Sequence, residues 1–176
     1  KFGLGDISKN ISKNIDDIDL SFQEFDIITC NFAIMFLMKS NISFNNFIKN
    51  ENKYLKKDGI LILTYFNGNK VFNLLETNDI IEFKDEESKT IFKISKEYEK
   101  KNKILKYGQQ ISVDINSIGC HSEYLVNNQH LITSLEKINM SLLETTSFAD
   151  IKSNIELNTH EREFSHLNMI SVFKKN

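Results

Sequence analysis

Along the chain the hydrophobic pattern switches between strand-like runs and helical spacing. The stretch Phe25-Asp26-Ile27-Ile28-Thr29-Cys30-Asn31-Phe32-Ala33-Ile34-Met35-Phe36 is almost continuously apolar. It is too unbroken for a one-sided strand and predicts one buried on both faces. Phe44, Phe47, Ile48, Tyr54 and Leu55 then recur at spacings that fit one helix face, and Lys56-Lys57-Asp58-Gly59 reads as its stop. Ile60 to Tyr65 forms a second apolar run. Strand, helix and strand in this order predict a βαβ unit with parallel strands and a right-handed crossover.

Beyond it, Lys70 to Glu76 reads as a helix, and Ile91 to Ile115 alternates enough to predict antiparallel strands about a turn at Glu99 to Lys103. Glu123 to Ile138 is expected to be a helix, followed by closing strands at Met140 to Phe148 and Leu167 to Phe173 around a polar loop. The order predicts one α/β domain with a mixed sheet. Such sheets bind ligands beyond the carboxyl ends of their parallel strands, which points to Asn31 to Phe36 and to Phe66-Asn67-Gly68. The antiparallel strands would then be an insertion over that site.

Composition narrows the function classes. The 176 residues carry a formal net charge of −2, so no overall basic field exists for tracking many phosphates, and recognition of a small or terminal group fits better. The 2 cysteines, Cys30 and Cys120, lack Cys-x-x-Cys spacing and are expected as free thiols. No apolar run has the length of a membrane span, and no N-terminal stretch has signal-peptide order, so a soluble, cytoplasmic protein is expected. Proline is absent, so element boundaries rest on Gly, Asn and Asp. His121, His130, His160 and His166 show no metal-ligand spacing, which predicts no metal site and scattered surface histidines. The paired carboxylates Asp16-Asp17 read as solvated, and no hydrolase elbow, phosphate loop or kinase signature occurs.

Several segments in fixed order resemble the mRNA cap guanine-N7 methyltransferases, most closely the domain in viral multi-domain capping enzymes. Phe25-Asp26-Ile27 followed by Cys30-Asn31-Phe32-Ala33 is similar to the family's strand ending in Cys-Gln-Phe-Ala/Val. Leu55 to Thr64 resembles its Leu-x-Pro-Gly-Gly strand entry, and Asn67-Gly68-Asn69-Lys70 its viral Asp-Gly-Asp-Lys. Glu123-Tyr124-Leu125-Val126 repeats the family's Glu-Tyr-Leu-Val, after a Gly108 that also fits, and Met169 to Lys175 resembles the last strand.

The resemblance implies a Rossmann-like class I S-adenosylmethionine-dependent methyltransferase, with residues 1–176 its C-terminal part and an antiparallel β insertion over the substrate site. The glycine-rich donor loop of such domains has no counterpart here beyond Phe2-Gly3-Leu4-Gly5-Asp6, so the chain is expected to begin within the domain. It further implies donor contacts from Asp6, Ile7, Asn31 and Phe32, and a cap-guanine pocket from Glu123, Met35, Phe36, Phe66 and Asn168. Glu123 is the sharpest of these, because a carboxylate that accepts from guanine N1–H and the N2 amino group selects guanine over adenine.

Met35-Phe36 replaces the family's His-Tyr, Phe66 a Pro of cellular members, and Asn168 an aromatic Tyr; an apolar, polarisable slot still stacks a purine. Without the resemblance each residue has a plainer reading. Asp6 would be a turn carboxylate, Asn31 a strand-end amide, Glu123 a helix-start glutamate, and Met35 and Phe36 core packing.

The function implied is methyl transfer to N7 of the 5′ guanosine cap of mRNA, with no catalytic acid, base or nucleophile. Two alternatives stand beside it: a class I methyltransferase of another substrate, and a non-catalytic methyltransferase-like subunit that stimulates a partner. Expected partners are the capped 5′ end of mRNA and, within a capping enzyme, preceding guanylyltransferase and triphosphatase domains or an activating subunit.

Overall fold

The computed structural model describes residues 4–12, 15, 24–85, 87–152 and 154–176. Gly3 and Asp16-Asp17 lie outside them. Two four-stranded sheets share one hydrophobic core.

The first sheet has the order β1-β2-β8-β7, with β1 Phe25–Asn31, β2 Leu55–Phe66, β7 Met140–Ser147 and β8 Asn168–Lys175. β1 and β2 are parallel, while β8 runs antiparallel to both β2 and β7, so the βαβ unit and the mixed sheet predicted from the sequence are present. Between β1 and β2 lie α1, Ile34–Leu37, and α2, Asn41–Tyr54. Ser40 caps α2 by accepting from the Ser43 N–H, and Phe44, Phe47 and Tyr54 fill the core from it.

Two expectations for this unit need correction. Within the described residues β1 is an edge strand, not one covered on both faces: its single neighbour is β2, and Ile27 is 60% exposed. The apolar run also breaks at its end, where Phe32 turns the chain into α1. The predicted helix stop, Lys56 to Gly59, is instead the first part of β2. Asp58 there takes a left-handed φ of 64°, and the pairing slips between Phe25↔Leu55 and Ile27↔Ile60, so the polar stretch is a bulge inside the strand.

Helix α3, Gly68–Thr77, leaves the end of β2 with its N-terminus capped by Asn67. Gly68 has a steric reason to be glycine: a Cβ would lie 2.1 Å from the Val126 carbonyl oxygen and 2.6 Å from the Val126 nitrogen. This close approach clamps the segment after Glu123 against the carboxyl end of β2.

The second sheet is an antiparallel meander in the order β3-β4-β5-β6, formed by Ile80–Lys84, Thr90–Lys96, Gln110–Ile115 and Gly119–Tyr124. The sequence predicted its middle strands and missed the outer pair. Glu123 accordingly sits on β6, opposite Ile111 of β5, and not at a helix start. The helix that follows, α4 (Asn128–Glu136), begins later and is capped by Asn127. A short helix, α5 (Thr159–Ser165), carries the chain into β8 behind an Asn158–Glu161 capping box.

Candidate methyl-acceptor site

The carboxyl end of β1, the end of β2 and the open face of the second sheet surround a cavity of about 570 Å³. It is lined by Phe32, Met35, Phe36, Phe66 and Asn168 together with Glu123, and also by Ile115, Ile118, His121 and Phe164. All five residues expected around a cap guanine therefore meet in one place, although they come from α1, β2, β6 and β8.

Local structure explains the convergence. Phe32 holds a φ of 50°, in the left-handed region that bulky residues seldom occupy, and its N–H donates to the Thr64 carbonyl at 2.8 Å. That bend takes the chain off β1 and delivers Met35 and Phe36 to the cavity on the single turn of α1. Met35 is buried, whereas Phe36 is 45% exposed and offers an open aromatic surface. Phe66 ends β2 directly opposite Asn168, the first residue of β8, in the antiparallel register. Phe164 meets the Phe66 ring edge-on at 5.6 Å and stacks on Phe92 at 4.2 Å, so it joins the two sheets beneath the cavity.

The polar groups are few and specific. Glu123 is 5% exposed, and its Oε1 lies 2.9 Å from His121 Nε2 while its Oε2 is buried with no hydrogen-bond partner. Burial pushes the Glu123 carboxyl above the ordinary carboxylate range, and the His121 contact works against that shift. Asn168 donates from Nδ2 to the carbonyls of Phe164 and Ser165, which fixes the amide orientation and leaves its Oδ1 buried and unpaired. Two residues that line the cavity among aromatic, Met and Ile side chains thus each hold one buried acceptor without a partner. An unmade buried hydrogen bond costs about 1–3 kcal/mol, so such atoms favour a ligand bearing N–H donors.

The expected donor-side residues separate into two places. Asn31 is exposed at the end of β1 and accepts from Thr64 Oγ1 at 3.3 Å; it adjoins Phe32 without lining the cavity. An amide at a parallel strand's carboxyl end, continuous with the Phe32 wall, fits one side of an S-adenosylmethionine site. Asp6 accepts from both the N–H and the hydroxyl of Ser8 and pairs with Lys9, the bonds of a turn carboxylate. Ile7 lines a different cavity, with Phe25, Ile28, Asn50 and Glu51. The structure does not bring Asp6 and Ile7 to the cavity that Glu123 lines.

Four lining residues escaped the sequence reading: His121, Ile115, Ile118 and Phe164. His121 is no scattered surface histidine. Its spacing of two from Glu123 was the available signal, because on a strand that spacing puts both on one face.

A family model for the mRNA (guanine-N(7))-methyltransferase domain matches residues 2–175. The chain belongs to this family. It is also 29% identical over 184 residues to a probable mRNA-capping enzyme of Acanthamoeba polyphaga mimivirus, an alignment that takes in 98% of this chain and 15% of that protein. The chain thus spans a small part of this capping-enzyme relative. Among solved structures it is similar to an S-adenosylmethionine-dependent methyltransferase from Clostridium acetobutylicum ATCC 824, with a TM-score of 0.56, 16% identity, and coverage of 98% of this chain and 63% of that one. The CcbJ methyltransferase of Streptomyces caelestis matches with a TM-score of 0.55, 13% identity, and coverage of 98% and 62%. These likenesses give the guanine-N7 methyltransferase domain the Rossmann-like fold of the class I methyltransferases.

Proposed function

We propose that this domain methylates N7 of a 5′ guanosine cap and that the cavity around Glu123 holds the guanine. The observation that carries the reading is the pair of buried, unpaired acceptors, Glu123 Oε2 and Asn168 Oδ1, in an apolar cavity of base-binding size. Guanine presents N1–H and the N2 amino group on one edge, whereas adenine presents a bare N1 there and would leave a carboxylate oxygen unmatched. Phe36, Phe32 and Met35 supply flat or polarisable area against the ring faces.

S-adenosylmethionine, when bound, supplies an electrophilic methyl group. The chain's own contribution is orientation. Guanine N7 carries an in-plane lone pair and releases no proton on attack, so no general base is required and none is assigned. Gripping the opposite edge of the base fixes the direction of N7, and such alignment can contribute up to about 7–11 kcal/mol. Asn31 and Phe32 are the residues proposed to bound the donor from the β1 end, with Asp6 and Ile7 retained as candidates for its adenosine end.

In a longer capping enzyme, of which the mimivirus relative is an example in size, guanylyltransferase and triphosphatase activities would supply the capped end. A cytoplasmic setting accords with that role.

The deciding experiment compares methyl transfer to dinucleotide caps ending in guanine and in adenine. Acceptance of guanine alone, abolished by Glu123→Ala, is expected. Equal use of both bases, or a Glu123→Ala rate equal to the parent's, refutes the assignment.

A further inference from the structure

His121 stands between two acceptors. Its Nδ1 lies 3.3 Å from the Gly119 carbonyl oxygen and its Nε2 lies 2.9 Å from Glu123 Oε1. A neutral imidazole has one N–H, so both contacts are hydrogen bonds only when the pair holds one extra proton. Either both ring nitrogens donate and Glu123 is a carboxylate, or Nδ1 donates to Gly119 and a Glu123 hydroxyl on Oε1 donates to Nε2. In both arrangements the shared proton lies between Nε2 and Oε1. Oε2 is an acceptor in each.

We propose that His121 is a positioning residue for base selection: by holding the proton of the pair on Oε1, it keeps Glu123 Oε2 an acceptor and so makes the cavity read guanine. The inference rests on the guanine reading above.

The surroundings leave this task to His121. From α1, β2, β5, α5 and β8 the cavity lining is Met35, Phe36, Phe66, Ile115, Phe164 and Asn168, none of which titrates. The residues paired with His121 and Glu123 across β5 are Val113 and Ile111, also neutral. The Phe36 ring lies 6.4 Å from the imidazole, centroid to centroid. A buried carboxyl without the histidine would favour its protonated form, with the proton free to sit on Oε2. There it would oppose guanine N1–H and match the bare N1 of adenine. Removing His121 should therefore blur the choice of base as well as weaken binding, and more so as the pH falls.

The test uses the full-length protein with His121→Leu, His121→Asn, His121→Gln and Glu123→Ala. KM for a guanosine-capped dinucleotide and inhibition by its adenosine-capped analogue are measured from about pH 6 to about pH 8. The parent should give a flat KM. His121→Leu should raise KM on the order of tenfold more at the acid end than at the alkaline end, and should bind the adenosine-capped analogue better. His121→Asn, too short to reach Oε1, should behave like His121→Leu, which covers the case in which the leucine variant fails to fold. His121→Gln, whose amide oxygen can accept from a hydroxyl on Oε1 and whose N–H can donate to Oε1 when Glu123 is ionised, should restore the flat profile. A folded Leu or Asn variant with a flat profile and unchanged base preference overturns the proposal for His121. If Glu123→Ala itself leaves KM unchanged, the guanine reading falls instead.

Discussion

Glu123 and Asn168 come from different sheets, yet each leaves one oxygen buried and unpaired in the lining of the same cavity. Asn168 can be tested separately because its amide nitrogen is already committed to Phe164 and Ser165. Asn168→Ala should raise KM for the capped dinucleotide about tenfold and cost about 1–2 kcal/mol of stability through the two lost hydrogen bonds. Asn168→Asp should be worse in both respects, since a carboxylate would face two carbonyl oxygens. Steady-state kinetics and urea denaturation read the two effects.

Gly68→Ala should be strongly destabilising, by roughly 3 kcal/mol or more, because the new methyl group meets the Val126 backbone and no flexible side chain can yield. The loss should appear as a lowered melting temperature. Cap binding should weaken with it, since the strained segment follows directly after Glu123.

Glu51 predicts a pH dependence of stability. It is 2% exposed, its Oε2 has no partner, and burial lifts its carboxyl from the ordinary 4.5 to about 8. The folded state therefore binds the proton more tightly than the unfolded state. The stabilising contribution is complete below the unfolded value and declines as pH rises through about 8. Glu51→Gln should remove this decline, leaving the variant more stable than the parent at alkaline pH by up to a few kcal/mol. Denaturant midpoints measured from about pH 5 to about pH 9 decide it, and parallel curves would refute it.

The two thiols should differ sharply in reactivity. Cys30 is buried beside Glu51, and burial first, then that carboxyl's charge, push its thiol up to about 12. Cys120 is exposed on β6. Native protein should show rapid modification of Cys120 by a thiol reagent and protection of Cys30 until unfolding. Mass mapping of the labelled peptides checks the order.

The sequence carried the parallel pair, the helix between its strands and the closing strands, because each is written in its own apolar periodicity. It also brought together five residues that line one cavity, through the resemblance and through the rule that places sites at strand ends. What it could not convey is cover and pairing. Phe25 to Asn31 is apolar whether or not a neighbour flanks it, so it read as a central strand, whereas among the described residues its one neighbour is β2. Residues 119 to 124 contain little apolar alternation and become a strand through pairing with β5, which is why Glu123 looked like the start of a helix. The bulge at Asp58 imitates a helix stop for a related reason, since a left-handed residue serves either purpose. His121 was missed because its polarity reads as surface until the strand places it beside Glu123.

Phe164 touches Phe66 of one sheet and Phe83 and Phe92 of the other, all from a helix of seven residues. The width of the proposed base slot therefore depends on a single ring wedged between two layers. Trimming that ring would let floor and roof drift independently, and a loss of alignment could then arise from a side chain to which no contact with the base is assigned.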